Sequence, residues 1–322
     1  MTAPTEVDCS RLFAPLGLRS RTAAEVRVAV NEYSYLPPGE MDEGWLPNVR
    51  AAFTALGRAR RCDTFCSIGC GPGVDAILAA ELINPRSMIL TDLRDDVVEL
   101  ARENVLRNCT SLDAGRLLGL TGSLCDELIA RGLSADVIYE NLPNLPTSTL
   151  NLASGCRTAS FFDPGQSRPV PAEFADNMLA LHYLFLSQVR NCLSADGVVV
   201  CSIGLRVPLD LVLRLFEINR FRSEILAVGA VRQLAAEEVL PHYADIEAAS
   251  PNRTPFLFFP HAALVEAVRK SDRPDVSRRD LIAAVAGRAD LALSAQEAYH
   301  AVRFGDGAHV GHLGAVILGT PM

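Results

Sequence analysis

The sequence has little basic charge and almost no lysine. Acidic side chains outnumber basic ones by 38 to 30 over 322 residues, the net charge is −8, and Lys270 is the only lysine. Polynucleotides and anionic lipid surfaces bind clustered lysine and arginine, so this balance argues against a nucleic-acid partner and against binding to a membrane surface.

Long apolar stretches are also absent. No segment approaches the roughly 20 apolar residues that a membrane-spanning helix needs. The first residues, MTAPTEVDCSRLF, lack a basic region followed by an apolar run. We therefore expect a protein that is neither inserted into a membrane nor exported, and that lies in the cytoplasm.

The cysteines form no metal-binding or disulfide pattern. The nine cysteines are scattered and odd in number, and several lie inside apolar runs such as Val199, Val200 and Cys201. The segment that contains Cys62, Cys66 and Cys70 is predicted as a strand followed by a glycine turn, so their side chains should diverge. We predict small buried hydrophobic residues in a reducing compartment, and no metal.

Apolar runs of strand length alternate with helical patterns, and 49% of the residues are hydrophobic. Such alternation predicts β-α-β units, in which a parallel sheet is covered by helices on both faces. We therefore predict an α/β fold with a doubly wound, seven-stranded, mostly parallel sheet. The predicted strands are DTFCSIG (63–69), SMILTD (87–92), GRLLGLTG (115–122), ADVIYE (135–140), GVVVCSIGL (197–205), EILAVGAV (224–231) and PFLFFP (255–260).

Three regions follow from this pattern. Residues 1–58 are predicted as an N-terminal helical lid that includes the polar, aromatic link NEYSYLPPGEMDEGW (31–45). Residues 59–262 are predicted as the catalytic domain, and residues 263–322 as a C-terminal extension that packs on it. The segment 142–175 is rich in Pro, Gly, Ser and Asn and far exceeds the usual loop length of about 2–6 residues, which is typical of a functional lid.

A glycine turn follows the first predicted strand. Gly69, Gly71 and Gly73 repeat at every second residue, and Val74 stands where a dinucleotide-binding turn would have its third glycine. This spacing resembles motif I of the class I, Rossmann-like S-adenosylmethionine-dependent methyltransferases. Asp92 ends the next strand about 20 residues downstream, at the usual separation for an acidic residue that accepts the two ribose hydroxyls.

The resemblance implies that S-adenosylmethionine is the cofactor and that Gly69, Gly71, Gly73 and Asp92 hold it. Ser123 occupies the position after the third strand where this class often has an acidic residue for the adenine amino group, with Asp126 as a nearby substitute. In the alternative interpretation, the glycines only form a tight turn and Asp92 caps the following helix.

The segment after the fourth strand, Glu140-Asn141-Leu142-Pro143-Asn144, resembles the Asn-Pro-Pro-Tyr motif of methyltransferases that act on planar nitrogens. Asn141 matches the Asn and Pro143 the second Pro, whereas Leu142 and Asn144 depart from the motif. The resemblance implies that Asn141 accepts the hydrogens of the nitrogen and orients its lone pair. Pro143 and Asn144 are then predicted to contact the substrate.

Glu140 places a carboxylate beside Asn141. A carboxylate in a dry site matches a guanidinium in a bidentate pair, and it could draw the proton from a guanidino nitrogen. We therefore predict that Glu140 and Asn141 are the catalytic residues. In the alternative interpretation, the two side chains only satisfy backbone donors at the end of the strand.

The chain as a whole resembles the methyltransferase domain of the plant methionine S-methyltransferases, including the closing pattern SAQEAYHAVRFGDGAHVGHLGAVIL (294–318). This resemblance implies a small amino-acid substrate. We predict N-methylation of the guanidino group of free L-arginine or a close analogue. S-methylation of L-methionine and a non-catalytic cofactor-binding module are the alternatives, and a homodimer is left open.

Further residues are predicted to lie near the substrate. Tyr33 and Tyr35 in the N-terminal link, with Glu40, could close over the site. Asp163 and Arg168 in the long loop could meet the substrate's amino and carboxylate groups. His309 and His312, near Asp306, are predicted to make structural or substrate contacts rather than to bind a metal, because transfer from a sulfonium needs none.

Overall fold

The structure is a computed structural model that describes residues 4–34, 36, 39, 41–146, 161–162, 169–249, 253–305 and 307–322. Its strands are β1 (Thr5–Asp8), β2 (Arg27–Val30), β3 (Thr64–Ile68), β4 (Ser87–Asp92), β5 (Leu117–Thr121), β6 (Ala135–Glu140), β7 (Leu145–Pro146), β8 (Phe161–Phe162), β9 (Leu193–Gly204), β10 (Phe221–Arg232), β11 (Phe259–Pro260) and β12 (Val310–Pro321).

The helices alternate with these strands. They are α1 (Ser10–Phe13), α2 (Leu46–Ala59), α3 (Val74–Leu82), α4 (Asp95–Asn108), α5 (Asp126–Ala130), α6 (Ala172–Ala175), α7 (Ala180–Val189), α8 (Leu209–Ile218), α9 (Ala236–Ala249), α10 (His261–Ser271), α11 (Arg278–Ala286) and α12 (Ala295–Phe304).

The central sheet has the order β10-β12-β9-β6-β3-β4-β5. Strands β5, β4, β3, β6 and β9 run parallel, and β12 is antiparallel to both of its neighbours, β9 and β10. Strand β11 pairs with the start of β12, which makes eight strands in this sheet among the described residues. The predicted α/β fold with a doubly wound, mostly parallel sheet is confirmed, with eight strands instead of seven.

The seventh strand of the prediction was placed wrongly. Of the run 255–260, only Phe259 and Pro260 pair with the sheet, and the closing run of the chain forms the long strand β12 instead. Proline cannot donate to a strand ladder, and Pro255 and Pro260 bracket the short run. Residues 310–317 are buried throughout, so β12 is a core strand. The region predicted as an extension, 263–322, thus supplies a strand from the middle of the sheet.

Two apolar layers cover the sheet. One buries residues of α2, α3 and α4 and the other buries residues of α7 to α12. The N-terminal region, predicted as helical, contains the antiparallel pair β1 and β2 as well as α1 and α2. Its last helix, α2, packs against β10, β12 and α3 and so belongs to the first layer.

The composition predicted buried, unpaired cysteines and no membrane-spanning helix. The eight cysteines in the described part of the chain are buried and not joined to one another, as predicted, and burial raises the pKa of the Cys62 thiol to about 12. Among the helices described, none combines the length and the apolar character needed to cross a bilayer.

Because β12 carries part of the core, its central residues should contribute strongly to stability. Ile317 is fully buried, whereas Ile218 at the end of α8 is 48% exposed. We expect Ile317→Ala to lower the free energy of unfolding by about 2–5 kcal/mol, and the same change at Ile218 by less than about 0.5 kcal/mol. Urea unfolding of the two variants measures the difference, and equal losses would contradict a core position for β12.

Candidate functional site

The glycine turn after β3 has the backbone conformation that its sequence requires. Gly69, Gly71 and Gly73 have φ angles of 65°, 49° and 83°, in the left-handed region that side chains rarely enter. Gly73 precedes the first residue of α3, and the Cys70 N–H donates to the Thr91 carbonyl at 2.8 Å. The turn is therefore fixed to the end of β4 and opens at the carboxyl edge of the parallel strands.

Asp92 lies directly beside this turn. Its Oδ2 accepts a hydrogen bond from the Gly71 N–H at 3.1 Å. Burial raises the pKa of Asp92, although N–H groups of Gly71, Arg94 and Leu93 act in the opposite direction. The structure therefore brings together the glycine turn and the acidic residue that the sequence motif paired.

Two other predicted residues lie on the Asp92 side of the turn. Ser123 follows β5, and the neighbouring Gly122 N–H donates to the Asp92 carbonyl at 2.9 Å. Tyr33 is 49% exposed, and its ring stacks on the Arg94 guanidinium with 3.4 Å between Cζ and the ring centroid. Neither residue lines the cleft described next. Tyr35, Glu40, Asp163, Arg168 and Asp306 lie outside the described residues.

An open cleft extends from the glycine turn along the carboxyl ends of β6 and β9, away from β4. We call it the cleft. It is lined by residues 69–72, 74–75, 141–144, 202–204, 206 and 231–235 and by Leu36, Trp45, Asn48, His312 and Gly314.

Glu140 points away from this cleft into the protein interior. It is fully buried, its Oε2 accepts the Leu142 N–H at 3.0 Å, and its Oε1 lies 2.9 Å from Nδ1 of the buried His182. Both carboxylate oxygens are therefore engaged within the protein, and Glu140 is not among the residues that line the cleft. Glu140 fixes the start of the following loop, which matches the structural alternative weighed from the sequence.

The residues after Glu140 do border the cleft. Asn141, Leu142, Pro143 and Asn144 all line it. The Asn144 Nδ2 donates to the Met178 carbonyl at 3.1 Å, which ties the loop to the segment before α7. Within the described part of the chain, the Asn141 side chain makes no hydrogen bond, so its amide is available to a ligand.

A carboxylate that the sequence analysis did not single out also lines the cleft. Asp75 is only 6% exposed and lies in the first turn of α3, where the helix dipole favours a negative charge. It is close enough to the buried Tyr139 hydroxyl that its charge, after burial, is the next cause of the raised pKa of Tyr139. Its position directly after the glycine turn was the available sequence signal.

At the end of the cleft far from the glycine turn, Arg206 contacts Gln233 and His312, and we call these three residues the arginine cluster. Arg206 follows β9, and its Nη2 donates to Gln233 Oε1 at 2.9 Å and to His312 Nε2 at 2.5 Å. His309 lies instead on the surface beside Arg232, 3.1 Å from its Nη2. No group of three metal-ligating side chains occurs among the residues that the structure describes.

Three glycines make room for this cluster. Gly204, Gly314 and Gly229 face one another in register on β9, β12 and β10. A Cβ on Gly204 would collide with Arg206 Nη1, and one on Gly229 would collide with the Asn48 side chain. We call these three residues the glycine row. Their separation in the sequence left no local signal.

Comparisons with known proteins give weak similarities. No protein-family model matches the sequence, and no curated protein sequence matches it either. Solved structures that are similar include precorrin-6y C5,15-methyltransferase from Geobacter metallireducens (14% identity, 57% of this chain and 76% of that chain, TM-score 0.34). Ribosomal protein L11 methylase from Lactobacillus delbrueckii subsp. bulgaricus is another (17%, 64% and 88%, TM-score 0.37).

SMU.776, solved in complex with SAH, is similar at 13% identity with a TM-score of 0.42 over 64% of this chain. This chain spans about half the length of that protein, since 47% of it is covered. At these identities and TM-scores, none of the three similarities supports a conclusion about the activity or the substrate of this chain.

The buried pair of Glu140 and His182 gives a stability prediction. Glu140→Ala leaves the Leu142 N–H and the His182 ring without their acceptor, so we expect a loss of about 3 kcal/mol in the free energy of unfolding. The matched change Glu127→Ala removes a partly exposed ion pair with Arg131 and should cost at most about 0.5 kcal/mol. Urea unfolding of both variants is the measurement. Unchanged stability of Glu140→Ala together with lost activity would indicate that Glu140 acts on the substrate.

Proposed function

We propose that the chain is an S-adenosylmethionine-dependent methyltransferase that acts on a small amino-acid-type molecule. The observation that carries the proposal is the turn of three left-handed glycines after β3, bonded to Asp92 at the end of β4 and open to a cleft at the same sheet edge. In open α/β sheets, ligands bind at this edge. The turn has Val74 where a dinucleotide-binding turn has its third glycine, so it suits a ligand made of a nucleoside and an amino-acid tail better than a pyrophosphate.

The residues at the turn fit such a cofactor. No atom of the described residues lies within 4 Å of the position that a Cβ on Gly71 would occupy, so a ligand could approach the backbone there. Asp92 keeps carboxylate oxygen capacity for the two ribose hydroxyls while Oδ2 holds the Gly71 N–H, and Ser123 lies on the same side for the adenine. When bound, the cofactor would supply a methyl group activated by its sulfonium.

The acceptor would lie on the other side of the turn. The Asn141 amide oxygen can accept the hydrogens of a planar nitrogen and hold its lone pair in one direction, which is the main requirement for in-line transfer. Pro143 and Asn144 shape the wall beside it, and the bond from Asn144 to the Met178 carbonyl limits the movement of that wall.

The choice between arginine and methionine now depends on a different carboxylate. Glu140 does not line the cleft, so its carboxylate is not placed to pair with a guanidinium there. Asp75 lines the cleft, is largely buried and offers a negative charge to a cationic group. This placement keeps N-methylation of the guanidino group of L-arginine as the first hypothesis. S-methylation of L-methionine is the second, because a neutral thioether gains nothing from Asp75.

Asp92 provides the test of cofactor binding. We expect wild-type protein to bind S-adenosylhomocysteine in isothermal titration and Asp92→Ala to bind it about 10- to 100-fold more weakly, because hydrogen bonds to a charged group are lost. Asp245→Ala, at an exposed position of α9, should leave the affinity unchanged. Absence of binding to the wild type would exclude the proposed function.

Asp75 provides the test of the acceptor. Methyl-labelled cofactor is incubated with arginine, methionine, glutamine or histidine, and the label should appear on arginine. Asp75→Asn should lower kcat/KM for arginine at least about 100-fold and leave the affinity for S-adenosylhomocysteine within about threefold, because a buried carboxylate no longer faces the cation.

The matched control is Asp210→Asn, an exposed acidic residue in the first turn of α8, and it should have no effect. Label on methionine alone would replace the arginine hypothesis with the second one. Binding of the cofactor product without transfer to any amino acid would favour the non-catalytic module. An Asp75→Asn variant that loses affinity for S-adenosylhomocysteine would place Asp75 on the cofactor instead.

A further inference from the structure

The largely buried guanidinium of Arg206 in the cleft has no anionic partner in the part of the chain that the structure describes. The Arg206 Nη2 donates hydrogen bonds to Gln233 and His312. Among the residues described, the buried Nε has no acceptor and Nη1 donates no hydrogen bond. No described carboxylate lies within 4 Å of this side chain. A buried charge is costly unless it is paired, so this arrangement is typical of a site that is completed by a ligand.

The two partners of Arg206 orient it without neutralising it. The His312 Nδ1 lies 2.8 Å from the Leu313 carbonyl and so carries the proton, which leaves Nε2 as the acceptor for Arg206. Burial, followed by the charge of Arg206, lowers the pKa of His312 well below its ordinary value and keeps the ring neutral. Gln233 is an uncharged acceptor as well. The guanidinium therefore retains its full positive charge toward the cleft.

Arg206 lies beside two buried aromatic rings. Its Cζ lies 5.3 Å from the centroid of Tyr243 and 6.0 Å from that of Phe258. Rings at this distance hold a cation in place, and a low local dielectric strengthens its attraction for an anion. Gly204 permits the guanidinium to fold back over the sheet, since a side chain there would collide with Nη1.

A second donor lies over the neighbouring glycines. Asn48 borders the cleft at the start of α2, and its buried Nδ2 has no hydrogen-bond partner. The amide sits over Gly229 and Gly314, the members of the glycine row next to Gly204. Two unsatisfied donors, one charged and one neutral, thus lie above adjacent strands at one end of the cleft.

The strand order separates this end from Asp92. Strand β4 lies on one side of β3, whereas β9, β12 and β10 lie on the other side beyond β6. From β4 to β9 there are three strand spacings of about 4.8 Å, or roughly 14 Å. A nucleoside on Asp92 therefore leaves the Arg206 end of the cleft for a second molecule.

We propose that Arg206, with Asn48 beside it, binds the carboxylate of the substrate, so that the acceptor is a free α-amino acid or another small carboxylate and not a residue within a peptide chain. This inference rests on the proposed function for the identity of the reaction. A guanidinium and a carboxylate match in a charge-assisted pair, which Nη1 can form because it donates no hydrogen bond to any residue described. Asp75 lies nearer the glycine turn, so it would hold the cationic end of the same molecule beside the methyl donor.

Trp45 allows the binding to be measured without any methyl transfer. It is the only tryptophan of the chain and lines the cleft, so its fluorescence should report occupancy. We expect titration with the amino acid that the wild type labels, or with each of the four panel members where none is labelled, to change this fluorescence. The corresponding primary amide should bind at least about 100-fold more weakly, because it cannot form the charged pair.

Arg206→Gln should abolish this preference. The variant should bind the acid about 100-fold more weakly than the wild type, bind the amide within about threefold of the wild type, and retain its affinity for S-adenosylhomocysteine. Arg206→Lys, which keeps the charge but not the planar fork, should lose about tenfold for the acid. Arg253→Gln is the matched control, because Arg253 also stacks on an aromatic ring, Phe256, but lies outside the cleft.

The other outcomes overturn either the inference or the proposed function. Equal binding of acid and amide by the wild type, or no response to any panel amino acid, would exclude a carboxylate site. If Arg206→Gln lowered the affinity for S-adenosylhomocysteine as much as the affinity for the acid, the guanidinium would be assigned to the cofactor's carboxylate. Should the wild type bind the acid in preference to the amide but fail to bind S-adenosylhomocysteine, the carboxylate site stands and the proposed methyltransferase function fails.

Discussion

The cleft depends on a steric constraint near one edge of the sheet, where three adjacent strands each carry a glycine. Gly204, Gly314 and Gly229 lie in register on β9, β12 and β10, and side chains of Arg206, Val231 and Asn48 lie where their Cβ atoms would be. Interiors are close-packed, so even one methyl group in this row would displace the Arg206 guanidinium or the Asn48 amide. The polar side chains at this end of the cleft have room because these three positions are glycines.

The charged residues in and around the cleft differ in the partners that the protein gives them. The Glu140 carboxylate, at the end of β6, is matched by His182 and a backbone N–H, and it organises the loop that forms one wall. Arg206 is supported by neutral groups only, and Asp75 adds a negative charge nearer the glycine turn. The chain is acidic overall, yet the cleft lining holds Asp75, Arg206 and Arg232, of which Arg232 is paired with Glu43. The other two charges, one of each sign, form the pattern that a zwitterion complements.

The parts of the fold and site that the sequence predicted are those encoded locally. The glycine turn and Asp92 are each read from a few neighbouring residues, and the parallel strands that place them together follow from alternating apolar runs. The orientation of Glu140 was not predictable, because it depends on His182, which lies far along the chain on α7. The position of β12 was also missed, since nothing in a strand's own residues states which neighbours it will pair with.

That missed strand explains why the arginine cluster could not be found from the sequence. Arg206, Gln233 and His312 follow or belong to three different strands, and they meet only because β12 inserts between β9 and β10. Long-range pairing of this kind costs chain entropy before any contact repays it, so the polar site can form only once the last strand has docked. Strand β12 thus belongs both to the core and to the polar end of the cleft, so the fold and the proposed carboxylate site depend on the same strand.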